Sequence, residues 1–331
     1  MFEYKQYLKS ILKKGVECGQ ARENMPSTKV LPTHQMTFAF EDGFPILTAK
    51  KMPFYSILAE LICFMQGKTD VRDYAKMGCN VWWENAYKWN TTEDARKTFS
   101  IESYKKQDEW LPDSAYDLGR IYAAQWRSWD RNNVEVDQLK NLINNVISKP
   151  TSRYHVMTAW NPAELRDTCQ PNCHVYFQAT AIPFNKSAFD NYPYYKKFLD
   201  DDTALEICDK SDKMLFAHLT QRSCDAFLGV PYNITSYALF TIILGILTNS
   251  EPIQFDWVGV NNHIYSNHQD QVDQYIKSET FDRPKLHIEV DRIDTLDKIM
   301  QIKTLADLKE IFWLVDYKSG EKIEAPLSVG L

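Results

Sequence analysis

Hydrophobic and polar positions follow two different periods along this 331-residue chain, and the periods predict its elements. Residues 2–16 alternate apolar and basic positions at helical spacing, with Gly15 and Gly19 as the stop. Residues 34–41 alternate with period two, which predicts a strand that Asp42-Gly43 turns. Residues 54–66 predict an apolar helix, and 137–148 an amphipathic one stopped by Pro150. Strands are expected at 154–160, 174–182, 214–220, 254–265 and 285–290, and a core helix at 234–249. Two polar stretches, about 88–116 and 183–212, read as surface insertions. Helices and strands mix without a regular βαβ rhythm, so the expected class is α+β in a single domain, 1–331.

Composition narrows this picture. The chain is 44% hydrophobic and 25% charged, which is globular. A net charge of −6 and a pI of about 5.7 leave no footprint for nucleic acid, while a small anion needs only a few local arginines. Seven cysteines, an odd number without a CxxC pair, point to free thiols in a reducing, cytoplasmic setting and supply no metal-ligand spacing. The N-terminus lacks an apolar targeting core. The longest nearly uncharged run, Val230 to Ser250, carries Pro231, Asn233, Thr235 and Ser236. Its apolar part is shorter than the ~20 residues of a membrane span, so a buried helix is expected.

The chemistry gathers at Cys169-Gln170-Pro171-Asn172-Cys173-His174. A thiol titrates near ~8.5 unless a cation favours its thiolate. Gln221-Arg222-Ser223-Cys224-Asp225 brings such a cation if the fold places it alongside. Cys173 is read as a covalent nucleophile; taken by residue type alone it is an ordinary buried thiol. Glu60 stands among Leu58, Leu61, Ile62 and Phe64, where a carboxylate must be paired or protonated.

Eight ordered blocks carry a family resemblance. They are Asp42-Gly43-Phe44-Pro45, Glu60 with Phe64-Met65-Gln66-Gly67, Gln125-Trp126-Arg127, Trp160-Asn161-Pro162, Asn172-Cys173-His174, Gln221-Arg222-Ser223-Cys224-Asp225, Gly229-Val230-Pro231-Tyr232-Asn233, and His263-Ile264-Tyr265-Ser266-Asn267-His268. With them the chain resembles thymidylate synthase and the related pyrimidine-nucleotide hydroxymethyltransferases, over most of residues 2–87, 117–182 and 213–331. The resemblance implies that fold, a mixed sheet with flanking helices whose sheet packs in a homodimer. It implies 5,10-methylenetetrahydrofolate as co-substrate, no metal, and dUMP as the nucleotide. Cys173 would add to the base, Arg222 would serve both phosphate and thiol, and Glu60 and Tyr122 would handle protons. Arg22, Arg153, Gln221 and Ser223 match substrate contacts, with Arg153 reaching the partner's site. Asn233 matches the amide that reads uracil, where an Asp would suit cytosine. His263 and Tyr265 match ribose contacts, and their i, i+2 spacing shares one strand face. Trp82, Asp225, Gly229, Asn85 and Lys50 fall beside the folate. His174 is expected to be a core hydrogen-bonding histidine.

The departures from the pattern bear on the product. The family's glycine-rich loop is here Arg22-Glu23-Asn24-Met25-Pro26-Ser27-Thr28, and Tyr154 stands where a second arginine is usual. Asn85 replaces a frequent Trp, Asn261-Asn262 replaces an Asp-bearing pair, and the tail after Ala325-Pro326 is longer. The resemblance implies that the first loop, Asn85 and the tail lie where the family builds the lid that excludes water. These changes favour water capture and a hydroxymethyl product, with reductive methylation to dTMP as the alternative. A non-catalytic nucleotide- or RNA-binding relative and a Cys-His hydrolase are the readings from other classes. The intact residue set argues against the first; the lack of a glycine-framed elbow argues against the second.

Overall fold

The computed structural model describes residues 1–20, 25–97, 99–106, 111–131, 134–184, 202–203 and 211–327. Arg22, most of the 183–212 stretch and the last four residues lie outside them.

A mixed sheet forms the centre. Its strands are β1 (Val16–Cys18), β2 (Thr28–Ala39), β5 (Val156–Thr158), β6 (His174–Pro183), β7 (Lys213–Gln221), β8 (Cys224–Asp225) and β9 (Ser250–Tyr265). The order is β1-β2-β9-β7-β6-β5, with β8 pairing β9. All neighbours are antiparallel except β7 and β8, which run parallel to β9. Two small ribbons stand apart, β3 (Trp129–Arg131) with β4 (Val134–Val136), and β10 (Lys285–Ile288) with β11 (Phe312–Val315).

The helices are α1 (Phe2–Lys14), α2 (Phe54–Gln66), α3 (Val71–Lys76), α4 (Trp83–Asn90), α5 (Glu93–Arg96), α6 (Ile101–Lys105), α7 (Tyr122–Arg127), α8 (Gln138–Ser148), α9 (Gly229–Leu247), α10 (Gln269–Lys277), α11 (Leu296–Ile299) and α12 (Leu305–Ile311). Helix α9 is apolar on all sides and lies in the core against β9, β7 and α2. On length and composition it could cross a bilayer, yet 94% of its most apolar 18-residue window is buried inside the fold. Each of its buried Leu, Ile and Phe side chains contributes about 1.5–3 kcal/mol. It starts five residues before the expected 234 because Pro231 lies in the first turn, where a missing N–H costs nothing.

Helix α2 spans the expected 54–66 and ends on Gly67, whose φ of 73° is the left-handed cap. A Cβ there would lie 3.1 Å from the Arg127 Cβ, so the position also needs a small residue. Strand β2 runs from 28 to 39 and β9 from 250, both longer than expected, because each pairs with the other over eleven positions. The stretch 88–116 is more than a surface excursion. Tyr104 and Tyr116 are buried against Trp83, at 5.8 and 6.5 Å between ring centroids, and anchor α4 and α6 as a satellite core.

Candidate active site

The site forms where β6, β7, β8 and the start of α9 converge. Cys173 immediately precedes β6 and Arg222 immediately follows β7. His174 pairs with Gln221 at the end of the ladder, so two segments fifty residues apart in sequence become neighbours. The Arg222 N–H donates to the Cys173 carbonyl at 2.9 Å. Its guanidinium donates to the carbonyls of Asn172 at 2.9 Å and Pro171 at 2.7 Å, and it lies over the Trp160 ring at 4.9 Å. The Cys173 Sγ lies 3.8 Å from that same Pro171 carbonyl. Thiol and guanidinium thus converge on one oxygen. Cys173 is half-buried, whereas Cys63, Cys79, Cys169 and Cys224 are fully buried; the six cysteines among the described residues are free thiols.

A second layer fixes this loop. The Cys173 N–H donates to the Tyr122 Oη at 2.7 Å. Burial, with Cys173 adding, pushes the Tyr122 phenol well above its usual range, so it stays protonated. The Asn172 Nδ2 donates to the Ala159 carbonyl at 2.9 Å. Asn85, on α4, donates to the Gln170 Oε1 at 2.8 Å and ties the loop to that helix. His174 is buried between Tyr122 and Tyr237, at 4.6 and 5.1 Å between rings. Burial pulls it down to about 4, opposed by a hydrogen bond to Asn233, so the ring is neutral near pH 7. That matches the expected core histidine.

Asn233 is the fifth residue of α9. Its Oδ1 accepts from the Gln221 Nε2 at 2.9 Å. The Gln221 Oε1 accepts from the Trp257 Nε1 at 2.9 Å, and its Nε2 also donates to the Ser223 carbonyl at 3.0 Å. Gln221, expected as a substrate contact, is buried with both ends of its amide engaged, which orients Asn233. The Asn233 Nδ2 carries two hydrogens that a ligand oxygen can accept. Asp225 pairs with His263 across β8 and β9 and accepts from the N–H groups of Phe227 and Leu228 at 3.0 and 3.1 Å. A Cβ on Gly229 would lie 3.5 Å from that of Asp225 and 3.7 Å from the Asn233 Oδ1, so the glycine sits between them. Lys50 is buried, donates to the Phe227 carbonyl at 3.0 Å and lies 3.9 Å over the Phe227 ring. Burial brings it down to about 8, opposed by Asp225.

The His263 Nδ1 faces the Asn261 carbonyl at 2.9 Å, so Nδ1 carries the hydrogen and Nε2 is left as an acceptor. His263 and Tyr265 share a face of β9, with rings 5.0 Å apart. Glu60 is buried on α2 and accepts from the Trp82 Nε1 at 2.9 Å. Burial raises its carboxyl to about 7, with the Trp82 hydrogen bond pulling the other way. Such a group gives and takes a proton at neutral pH. Arg153 lies apart, exposed before β5, and among the described residues no hydrogen bond or ion pair holds it. Arg22 is outside the described residues. Sequence reasoning did not identify Gln170 or Trp160 as side chains that hold the loop and the guanidinium; the available signal was that Trp160 opens one matching block and Gln170 lies two residues before another.

A half-buried thiol beside a fixed guanidinium, an oriented amide and a buried carboxyl raised to about 7 stand together here. A family model described as thymidylate synthase matches residues 2–329, nearly the whole chain, and the chain therefore belongs to the thymidylate synthase family, whose chemistry is folate-dependent one-carbon transfer to C5 of dUMP.

Proposed function

We propose that this protein transfers the one-carbon unit of 5,10-methylenetetrahydrofolate to C5 of dUMP through a Cys173–C6 adduct, with water capture giving 5-hydroxymethyl-dUMP. The observation that carries the reading is the shared approach of the Cys173 thiol and the Arg222 guanidinium to the Pro171 carbonyl. The thiolate adds to C6 and the ring electron pair shifts toward C5 and O4. The Asn233 amide donates to O4 and accepts from N3–H, held in that sense by Gln221. C5 then bonds to the one-carbon unit. Loss of the C5 proton and cleavage of the carbon–nitrogen bond leave an exocyclic methylene and tetrahydrofolate. Tyr122, a neutral phenol, relays the C5 proton, and Glu60 exchanges protons through water. Water adds to the methylene as the Cys173–C6 bond breaks and returns its pair to sulfur.

Arg222, Ser223, Arg22 and Arg153 bind the phosphate, the last from a second copy. The homodimer buries the outer face of the sheet, where Tyr176, His218 and Val258 are half-buried. His263 Nε2 and Tyr265 take the ribose hydroxyl, while Trp82, Asp225, Gly229, Asn85 and Lys50 form the folate side.

Water capture over reduction is supported by Asn85, whose amide and that of Gln170 put polar groups beside the nucleophile's loop. The second reading is reductive methylation to dTMP and dihydrofolate, favoured by the completeness of the family match. Incubation with dUMP and methylenetetrahydrofolate, followed by chromatographic and mass separation of the nucleotides, tests both. 5-Hydroxymethyl-dUMP without dihydrofolate is the expected result; stoichiometric dTMP and dihydrofolate overturns it.

A further inference from the structure

Near its end, β9 breaks its extended backbone at Asn261, whose φ is 54°. That is the left-handed region, which asparagine enters more readily than most residues. Leu31 pairs with Asn262 and Thr33 with Val260, so Asn261 stands opposite Pro32. A proline has no N–H and cannot take the Asn261 carbonyl into the ladder on that side. The next residue anchors the turn. Asn262 is fully buried; its Oδ1 accepts from the Tyr7 Oη at 3.1 Å, and its Nδ2 donates to the carbonyls of Gly259 at 2.8 Å and Leu31 at 3.3 Å. A Cβ on Gly259 would lie 2.2 Å from the Asn262 Oδ1, so the glycine makes room for this anchor. With Asn262 held, Asn261 aims two oxygens at one nitrogen. Its carbonyl lies 2.9 Å and its Oδ1 3.1 Å from the His263 Nδ1. A carbonyl only accepts, so Nδ1 carries the hydrogen and the amide turns its oxygen toward it. His263 is buried, and among the described residues no hydrogen bond reaches its Nε2.

We propose that Asn261 is a positioning residue that locks His263 in the Nδ1–H tautomer and so presents Nε2 to the substrate as an acceptor. The inference rests on the ribose reading of His263 given above. A neutral imidazole carries one hydrogen on either nitrogen, and an unconstrained ring presents a donor at Nε2 part of the time. With the hydrogen held at Nδ1, Nε2 meets the sugar with a lone pair and takes the hydrogen of a free 3′-hydroxyl. A sugar that lacks this hydroxyl leaves the lone pair unmatched, and binding weakens. Asparagine serves here twice, through a backbone that turns its carbonyl and through a side chain that supplies the second oxygen.

The test compares wild type with N261V, N261G and N261D in the full chain. Valine's branched Cβ disfavours the left-handed backbone and turns the carbonyl away. Glycine keeps the turn and the main-chain oxygen, and aspartate keeps both oxygens. Heteronuclear NMR of the imidazole nitrogens reads the tautomer, with the His263 signals identified by their loss in H263N. Dissociation constants are measured for dUMP and for 2′,3′-dideoxyuridine monophosphate. In wild type the hydrogen is expected on Nδ1, and dUMP is expected to bind about tenfold tighter than the dideoxy nucleotide, the size of one hydrogen bond. N261V is expected to shift the hydrogen toward Nε2 and to lose this preference while keeping its affinity for the dideoxy nucleotide. N261G and N261D keep the tautomer and the preference. A wild-type hydrogen on Nε2, a wild-type tautomer in N261V, an equal fall in both affinities, or loss of the preference in N261G and N261D overturns the lock. Should N261V not fold, N261A gives the same readouts with the same signs. A tautomer that responds as expected, in a wild type that binds both nucleotides equally, supports the lock and overturns the ribose reading instead.

Discussion

Replacing Glu60 by Gln tests the electrostatics of the site through stability alone. The change is nearly isosteric and keeps the Oε1 acceptor for the Trp82 N–H, so packing around α2 is retained. Burial raises the Glu60 carboxyl from 4.5 to about 7 in the folded state. Because the folded value is the higher one, the native state holds the extra proton between these two values. The stabilisation is fully present below about pH 4.5 and is lost as pH rises through 7. At 1.36 kcal/mol per unit the loss amounts to about 3 kcal/mol. Wild type is therefore expected to fall by about 3 kcal/mol relative to E60Q between pH 4.5 and pH 8. Urea unfolding of both proteins across that range reads the difference, in which all other titrating groups cancel. Parallel stability curves would refute a buried, proton-exchanging Glu60. Activity gives the companion result: E60Q cannot exchange a proton, and kcat is expected to drop by about 10²–10⁴.

Asn233→Asp is expected to lower kcat/KM for dUMP by about 10² or more and to improve turnover of dCMP, because the carboxylate repels O4 and accepts from an amino group; steady-state rates on both nucleotides check it. Asn85→Trp removes the amide bonded to Gln170 and dries the lid, so the product ratio is expected to shift toward dTMP and dihydrofolate, read by chromatography of the nucleotides. Arg153→Ala and Cys173→Ser are each expected to be inactive, while refolding them together restores partial activity through mixed dimers; an inactive mixture rejects sharing of Arg153 between protomers.

Elements set by local rules were legible in the sequence. Helix α2 declared itself through an apolar run closed by Gly67, and Asp137 caps α8 where the amphipathic pattern begins. The start of α9 was hidden because proline signals a break everywhere except the first turn. Helix α4 was hidden because its buried Trp83 and Tyr87 face Tyr104, an aromatic partner donated by a polar-looking stretch. In the site, Cys173, Arg222 and Glu60 stood out by residue type and company. The job of Gln221 did not, since a buried glutamine is explained only by its partners Asn233 and Trp257, twelve and thirty-six residues away. Asn85 likewise gains its meaning from Gln170, eighty-five residues on. Nothing local encodes such pairs.

The pairing of β6 with β7 is antiparallel, while β7 runs parallel to β9 through the long crossover helix α9. Residues 213–265 thus carry Arg222, Asn233, His263 and Tyr265 on one β7–α9–β9 run, and Cys173 arrives from a separate strand. During synthesis the nascent thiol emerges first and meets its guanidinium only after the later unit has docked. The contact between Cys173 and Arg222 is therefore a long-range one that forms only once β6 and β7 have paired.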